Sequence, residues 1–296
     1  MRALVTGGKG FVGSHLAVRL RDLGYSVVVI DDESAEENDE FYEFEGIAYH
    51  TQSILDPSTR WLYKDVDVVF HAAAKARIQP SVSQPGSAFE TNVLGTQIVC
   101  NYARRAGVKR VIYSASSSCY GKKNSPPFSE DMTVDCQTPY SLSKWMGEEV
   151  CKLYSNLYGL ETVILRYFNV YGPREPKKGH YAPVIGLFKR QESANEPHTV
   201  VGTGNQRRDF TYIDDVVDAS MLSISVDPVY ALGEVFNIGT GISTSIIDVS
   251  KMIGEKRVNI AERVGESMET LADINKAKSI LGYYPKFSLV DTVKTY

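Results

Sequence analysis

The stretch that decides the fold lies at residues 3–13 and reads Ala-Leu-Val-Thr-Gly-Gly-Lys-Gly-Phe-Val-Gly. A short apolar run enters a glycine triplet, Gly7, Gly10 and Gly13, and an apolar-periodic stretch follows at residues 12–23. The glycines permit a tight turn and close approach of the backbone to a pyrophosphate, while the start of a helix supplies unpaired amides and a positive dipole end. A strand, a glycine turn and a helix in this order predict a dinucleotide-binding unit.

The sequence up to residue 167 alternates short apolar runs with amphipathic stretches, which is typical of a parallel sheet covered by helices. Predicted strands lie at 3–6, 27–30, 66–70, 110–114 and 162–166, and predicted helices at 12–23, 87–106 and 139–158. Glycine- and proline-rich turns interrupt this alternation after residue 167. We therefore expect an α/β protein with a Rossmann-type doubly wound parallel sheet and a smaller, loop-rich C-terminal lobe. The expected boundaries are 1–167 for the dinucleotide-binding domain, with a return of the chain near 211–240, and 168–296 for most of the second lobe.

The composition sets bounds on partners and compartment. The chain has 296 residues and a formal net charge of −4, so it offers no general attraction to nucleic acid or to an anionic membrane. Its four cysteines are too widely spaced for a redox or zinc motif, so we expect no metal and reduced thiols. The chain opens directly on the first predicted strand, and no apolar run approaches the roughly 20 residues that span a bilayer. We expect a cytoplasmic protein.

An acidic residue follows the second predicted strand. Asp31 lies about 20 residues beyond the glycine turn, where a carboxylate accepts hydrogen bonds from the hydroxyls of the adenosine ribose. A 2′-phosphate would meet like charge at this point, and Asp32 and Glu33 offer no arginine to compensate. Asp31 therefore favours NAD as the cofactor. We interpret the acidic stretch at 31–45 as a solvated connection.

A tyrosine and a lysine lie four residues apart in Tyr140-Ser-Leu-Ser-Lys144, which places both side chains on one helix face. The nearby cation lowers the cost of a phenolate, whose ordinary pKa is roughly 10. A serine-rich strand end that contains Ser116 precedes this pair, at the edge where a parallel sheet presents ligand-binding residues. The Tyr/Lys spacing is a weak signal by itself, and the strand end beside it makes this a candidate ligand-binding site.

With these residues in place, the sequence resembles the extended short-chain dehydrogenases/reductases, and among them the nucleotide-sugar 4-epimerases. The resemblance covers nearly the whole chain. The matching stretches, besides the glycine triplet and Asp31, are His-Ala-Ala-Ala-Lys-Ala at 71–76, Asn-Val-Leu-Gly-Thr at 92–96, Ser-Ser-Ser-Cys-Tyr-Gly at 116–121, residues 140–144, Arg-Tyr-Phe-Asn-Val-Tyr-Gly-Pro-Arg at 166–174, residues 208–215, Ala-Asp-Ile-Asn-Lys at 272–276 and Leu-Gly-Tyr at 281–283.

The resemblance implies that Tyr140 takes the proton of a sugar 4-hydroxyl while hydride passes to NAD⁺, that Ser116 hydrogen-bonds the same oxygen and that Lys144 holds the nicotinamide ribose. It implies a homodimer formed through helices 87–106 and 139–158. The implied cofactor contacts are Gly7, Gly10, Phe11, Val12, Gly13, Asp31, Asp32, Ser53, Ile54, Ala72, Ala73, Lys75, Asn92, Ser114, Tyr140, Lys144 and Tyr167. The implied contacts with a UDP-sugar are Lys75, Ser116, Ser117, Ser118, Tyr140, Asn169, Arg174, Arg208, Arg263 and Thr270.

The residues at 117–119 separate related reactions. The similar 4,6-dehydratases have an Asp-Glu pair where Ser117-Ser118 stand, decarboxylases commonly have glutamate at 118, and 3,5-epimerases have cysteine there. Cys119 is one place off, and we interpret it as a packing residue. We therefore expect 4-epimerisation of UDP-glucose or UDP-galactose and, because Thr270 is of modest size, of the N-acetylated sugars as well.

Alternatives remain open at this stage. One is a UDP-uronate epimerase, and another is a nucleotide-sugar oxidoreductase or dehydratase. A non-enzymatic NAD sensor or scaffold is a further alternative, against which the intact Ser116, Tyr140 and Lys144 argue. Ser53 stands where the family usually has an aspartate toward the adenine, which leaves the adenine contacts open.

Overall fold

The structure is a computed structural model that describes residues 1–35, 38, 40–177, 182–261 and 267–296. Its strands are β1 (Arg2–Thr6), β2 (Ser26–Asp31), β3 (Ile47–Thr51), β4 (Val68–His71), β5 (Arg110–Ser116), β6 (Glu161–Tyr167), β7 (Val170–Tyr171), β8 (His198–Val201), β9 (Arg207–Asp209), β10 (Thr211–Tyr212), β11 (Leu232–Ile238), β12 (Ser243–Ser245), β13 (Arg257–Ile260) and β14 (Glu269–Thr270). Its α-helices are α1 (Phe11–Asp22), α2 (Ile78–Ser83), α3 (Pro85–Phe89), α4 (Gly95–Ala106), α5 (Pro139–Tyr158), α6 (Val184–Ser193), α7 (Ile213–Ser225), α8 (Ile246–Ile253) and α9 (Leu289–Thr292).

A seven-stranded parallel sheet forms the centre of the molecule, in the order β11-β6-β5-β4-β1-β2-β3. The chain runs outward from β1 to β3 and then crosses back to β4, which pairs with the other side of β1. The strand order therefore reverses between β1 and β4. The carboxyl ends of the strands at such a switch point frame the crevice in which open α/β sheets bind ligands.

Helices cover both faces of this sheet. On one face, Leu16 and Leu20 of α1 pack with Val216 of α7 in one buried cluster. On the other face, Val99 of α4 and Tyr154 of α5 belong to a second cluster. This arrangement confirms the predicted doubly wound α/β fold, and the predicted strands at 3–6, 27–30, 66–70, 110–114 and 162–166 are confirmed to within a few residues.

The predicted helix at 87–106 is helical throughout, but it is not an α-helix throughout. α3 ends at Phe89, a π-helical turn spans Glu90–Leu94, and α4 begins at Gly95. A π turn inserts an extra residue into the helical repeat, and such turns are frequent at functional sites. Here the turn carries Asn92, which is 1% exposed. The pattern of apolar residues that predicted a helix does not distinguish a π turn from an α-helical turn.

Two strands of the central sheet were absent from the predicted strands. β3 is an edge strand whose residues are all intermediate or exposed, so it lacks the continuous apolar run of a doubly buried strand. β11 joins the sheet beside β6 after the chain has formed β7 to β10 elsewhere. Its position depends on long-range pairing, which no local pattern reports.

The remaining strands form small sheets in the second lobe, with the orders β10-β7, β12-β9-β14 and β13-β8. An isolated bridge between Phe128 and Ala272 links the segment after β5 to this lobe. Within the described ranges, no helix has both the length and the apolar character that crossing a membrane requires.

A buried ion pair joins α5 to β6. The Arg166 guanidinium donates to the Glu148 carboxylate through Nε (3.0 Å to Oε1) and Nη2 (2.7 Å to Oε2), and the two side chains are 3% and 0% exposed. Arg166 Nη1 also donates to the Tyr120 hydroxyl at 2.9 Å, which donates to Oδ1 of Asn237 at 2.6 Å. This network connects the central helix to β6, β11 and the loop after β5.

Removing one partner of this pair should destabilise the protein strongly, because a buried charge without a partner is costly. We expect Glu148→Gln to lower the free energy of unfolding by about 3 kcal/mol or more in urea denaturation. The matched control is Glu149→Gln on the same helix, which removes an exposed pair with Lys152 and should cost under about 1 kcal/mol. Equal losses in the two variants would contradict this account of the network.

Candidate active site

The turn between β1 and α1 is built for a bound dinucleotide. A Cβ atom at Gly13 would lie 2.0 Å from the carbonyl oxygen of Gly7, and Gly7 itself has a left-handed backbone (φ +69°). A Cβ at Gly7 would lie 2.7 Å from the Cα of Ala73 at the end of β4. Gly10 caps α1 without a side-chain hydrogen bond, so no side chain takes the place of an anion at the first helical amides. The turn therefore fits the pyrophosphate of NAD.

Asp31 closes β2 beside this turn. Its Oδ2 accepts a hydrogen bond from the Lys9 amide and its Oδ1 accepts one from the Glu33 amide, each at 2.9 Å. Burial raises the pKa of Asp31 above its usual range, while these two amides act in the opposite direction. The carboxylate is thus held in place by backbone groups, with further lone pairs for ribose hydroxyls. Asp32, the next residue, is exposed.

The loop after β4 is fixed from two sides. Asn92 accepts a hydrogen bond from the Lys75 amide (2.8 Å) and donates to the Lys75 carbonyl (3.1 Å) and to the Ser143 hydroxyl (2.9 Å). The Lys75 ammonium donates to the carbonyl and hydroxyl oxygens of Ser34, on the segment that follows β2. Lys75 therefore lies on the cofactor side. Asn92 holds the loop against α5, and its direct contact with the cofactor stays a prediction.

Two of the three predicted catalytic residues, Ser116 and Tyr140, meet at the carboxyl end of β5, and Lys144 follows Tyr140 by one turn of α5. Ser116 ends the strand, and its hydroxyl donates to that of Ser118 at 2.9 Å. α5 begins next to it because Thr138 caps the helix through the Ser141 amide and Pro139 occupies the first turn. The amide of Tyr140 donates to the Ser81 hydroxyl at 3.0 Å, which fixes the start of the helix.

The electrostatics of this group are unusual for a tyrosine and a lysine. Burial raises the pKa of Tyr140, while a hydrogen bond with Ser116 and the positive charge of Arg77 oppose the rise. Burial lowers the pKa of Lys144 to about 8, although the Glu148 carboxylate acts against this shift. Lys144 is 4% exposed, and its ammonium lies 4.4 Å from the centre of the Tyr113 ring. The site thus combines a half-buried phenol with a lysine that titrates near neutrality.

Arg77 was missed in the sequence. It is the N-cap residue of α2, after the loop that follows β4. Its positive charge opposes the rise that burial causes in the pKa of Tyr140. The sequence did offer one signal for it: Arg77 is a cation in the loop after β4, and such loops frame the ligand crevice where the strand order reverses. Local spacing did not connect residue 77 with residue 140, because only the crossing of α2 and α5 brings them together.

Three predicted substrate residues meet in the second lobe. Asn169 donates to the Thr270 hydroxyl at 3.0 Å and to the carbonyl of Asp209 at 2.9 Å. Arg208 pairs with Thr270 in the register of β9 and β14. Asp209 is fully buried and accepts hydrogen bonds from Thr240, Gly241 and Ala272, which fixes this corner of the lobe.

Arg174 lies apart from these three residues. Its Nε donates to the His15 ring of α1 at 3.0 Å, and its guanidinium stacks 4.9 Å from the centre of the Phe44 ring. The structure therefore places Arg174 between α1 and the segment after β2, and its contact with a substrate stays a prediction. Arg263 lies outside the described residues.

The structure gives the positions of the other predicted residues. Ser114 Oγ and the Tyr167 hydroxyl are 3.3 Å apart at the ends of β5 and β6. Cys119 is 1% exposed in a small cluster with Phe128 and Phe168, and burial raises its pKa to about 12, so it is a packing residue as interpreted. Ser117 and Ser118 follow Ser116 in a short 3-10 turn, and Phe11 and Val12 are the first residues of α1. Ala72 lies beside Gly7, and Ile54 packs against Gly95. The Ser53 hydroxyl accepts a hydrogen bond from the Leu55 amide.

A doubly wound parallel sheet, a dinucleotide turn at its switch point and a Ser/Tyr/Lys group on the adjacent strand and helix define an enzyme of the extended short-chain dehydrogenase/reductase class. The model of the NAD dependent epimerase/dehydratase family matches residues 3–239, and the chain belongs to this family. NAD is accordingly its cofactor, as Asp31 predicted.

Known relatives share the whole length of the chain. A putative UDP-glucose 4-epimerase of Methanocaldococcus jannaschii is 34% identical, over 98% of this chain and 95% of the relative. A UDP-glucose 4-epimerase of Mycolicibacterium smegmatis is 33% identical, over 99% and 96%.

Solved structures agree with this family. The UDP-glucose 4-epimerase of Thermotoga maritima with UDP-glucose has a TM-score of 0.93 at 32% identity, covering 99% of this chain and 96% of the other. A UDP-N-acetylglucosamine 4-epimerase of Methanobrevibacter ruminantium has a TM-score of 0.92 at 30% identity, with 99% and 96% covered. A UDP-glucuronic acid 4-epimerase of Bacillus cereus, in complex with UDP-glucuronic acid and NAD, has a TM-score of 0.87 at 32% identity, with 99% and 97% covered.

Proposed function

We propose that this enzyme interconverts the C4 epimers of a UDP-sugar, with UDP-glucose and UDP-galactose as the principal pair. The observation that carries the proposal is the meeting of Ser116 with Tyr140, one helical turn from the buried Lys144, at the sheet edge that holds the cofactor turn. The related 4-epimerases support the reaction. Ser117 and Ser118 support it further, because two hydroxyls do not readily supply the acid/base pair that dehydration requires.

The roles of the residues follow from their surroundings. NAD bound at the turn after β1 would supply a hydride acceptor and donor for C4 of the sugar, and the residues around it would have the following roles. Tyr140 removes the proton of the 4-hydroxyl and later gives it back, and Ser116 donates to the same oxygen. The charge of Arg77 favours the phenolate form of Tyr140. We propose that the Lys144 ammonium, one turn along α5, holds the nicotinamide ribose and adds to this effect.

Binding of the UDP-sugar is assigned to the second lobe. We assign the diphosphate to Arg208, because a guanidinium binds phosphate oxygens in pairs. Thr270 pairs with Arg208 between the strands, and its hydroxyl accepts a hydrogen bond from the side-chain amide of Asn169. We propose that the size of Thr270 and its hydroxyl both shape this part of the site. We propose that Thr270 leaves room for a 2-N-acetyl group, and that Thr270→Tyr abolishes turnover of the N-acetylated sugar while sparing UDP-glucose.

The reaction and the sugar are tested together. The purified enzyme is incubated separately with UDP-glucose, UDP-N-acetylglucosamine and UDP-glucuronate without added reductant, and products are followed by proton NMR and NADH absorbance. We expect the 4-epimer without net NADH, and a loss of at least about a thousandfold in Tyr140→Phe, which keeps the ring and removes the acid/base group. A 4-keto-6-deoxy, decarboxylated or NADH-coupled product would replace epimerisation by another reaction of the same scaffold.

The low pKa of Lys144 predicts a pH dependence. The charged form of a lysine with a pKa of about 8 is lost as the pH rises through that value, so turnover should fall about tenfold per pH unit above it. Lys144→Arg keeps its charge throughout this range. We expect that variant to be slower at neutral pH and to lack the alkaline decline. A decline of the same form in both proteins would show that Lys144 is not the titrating group.

We also propose a homodimer formed through α4 and α5. Leu153 and Leu157 on α5 are 51% and 63% exposed, and Leu94, just before α4, is 49% exposed. These side chains form an apolar face that a second copy would cover. Sedimentation velocity should give a dimer for the unaltered chain and a monomer for Leu153→Glu with Leu157→Glu. Leu23→Glu, at the exposed residue that follows α1, is the matched control and should leave the dimer intact.

A further inference from the structure

A buried lysine lies inside the dinucleotide turn. Lys9 stands between two of its glycines and is 2% exposed. Its ammonium lies 2.5 Å from Oε1 of Glu33, 2.5 Å from Oε1 of Glu43 and 3.0 Å from the hydroxyl of Thr51. Both carboxylates belong to the segment after β2, and neither is needed by the proton-transfer chemistry proposed above.

This cation lies beside the ribose end of the cofactor site. The Lys9 amide donates to Asp31, the carboxylate that takes the ribose hydroxyls, and Thr51 pairs with Asp31 in the register of β2 and β3. The amide of Tyr42 donates to the Lys9 carbonyl at 3.0 Å, so residues 42 and 43 lie against the turn. The ammonium therefore sits where it can reach a group attached to the 2′ oxygen, but two carboxylates already neutralise it.

We propose that Glu33 and Glu43 select NAD over NADP by holding the Lys9 ammonium, which would otherwise bind a 2′-phosphate. In the unaltered protein a 2′-phosphate meets the carboxylates of Asp31, Glu33 and Glu43 and finds the adjacent cation engaged. Without the two glutamate charges, the same ammonium keeps its hydrogen bond to Thr51 but is a buried cation with no opposing charge on Glu33 or Glu43, next to the 2′ position. The inference rests on NAD as the cofactor and is independent of which sugar is the substrate.

The test measures bound dinucleotide directly. Each protein is equilibrated with equal concentrations of NAD and NADP, freed of unbound nucleotide and denatured, and the released nucleotides are quantified by chromatography. Glu33→Gln with Glu43→Gln removes the charges and keeps hydrogen-bonding groups, so the NADP to NAD ratio should rise about tenfold or more. Glu40→Gln with Glu45→Gln removes two exposed charges from the same segment and should leave the ratio within about twofold.

A triple variant identifies the lysine as the cause. Adding Lys9→Met to the double variant should return the ratio to that of the unaltered protein. No rise in the double variant, an equal rise in the Glu40/Glu45 control, or a rise that persists without Lys9 would overturn the proposal. If the unaltered protein releases neither nucleotide, the cofactor assignment itself fails, which is a separate outcome.

A second measurement tests the contact between Lys9 and the 2′-phosphate without the triple variant, so it holds even where that variant folds poorly or binds weakly. Phosphorus NMR of bound NADP reports the second pKa of the 2′-phosphate, which is about 6 for a free phosphate monoester. Contact with the Lys9 ammonium in the double variant should lower this pKa, because the cation favours the doubly charged form. An unchanged phosphate pKa would contradict the contact.

Discussion

The buried ion pair between Glu148 and Arg166 is the interaction on which the site depends. It lies two helical turns from Tyr140 and one from Lys144 on α5, and it anchors that helix to β6. Through Tyr120 the same network reaches the loop after Ser116, and through Asn237 it reaches β11. Residues from four parts of the chain are thereby held in one geometry. Buried pairs contribute modestly to net stability, so their value here lies in fixing positions.

The same burial sets the chemistry. Tyr140 and Lys144 are pushed in opposite directions by loss of water, since burial disfavours the charged form of each. Nearby opposite charge then decides how far each shift goes: Glu148 supports the ammonium, and Arg77 supports the phenolate. A phenolate that accepts one proton and later returns it, near a lysine with a pKa of about 8, suits a reaction in which an alcohol is oxidised and then reduced again in the same site.

Local features of the sequence predicted the fold and the main catalytic residues. The glycine turn and Asp31 lie in the first strand-helix-strand unit, so their relation to a dinucleotide follows from position in that unit. The Tyr140/Lys144 spacing lies within one helix, and its proposed role came from the family resemblance. The edge strand β3 and the late strand β11 depend on pairing across the sheet. The π turn around Asn92, the contact of Arg77 with Tyr140 and the placement of Arg174 against His15 arise only from tertiary packing. The sequence predicts Lys9 only as part of the glycine turn, and it predicts the stretch 31–45, which contains Glu33 and Glu43, as a solvated connection. Their ion pairs with Lys9 appear only in the folded structure.

Transfer of the C4 hydrogen is the most direct measurement of the central claim that Tyr140, Ser116 and Lys144 serve oxidation and return at one carbon. The enzyme is given UDP-glucose that carries deuterium at C4, and the products are examined by NMR and mass spectrometry. The account predicts UDP-galactose with the deuterium retained at C4 and no exchange with solvent. Deuterium found at C6, or lost to water, would contradict it.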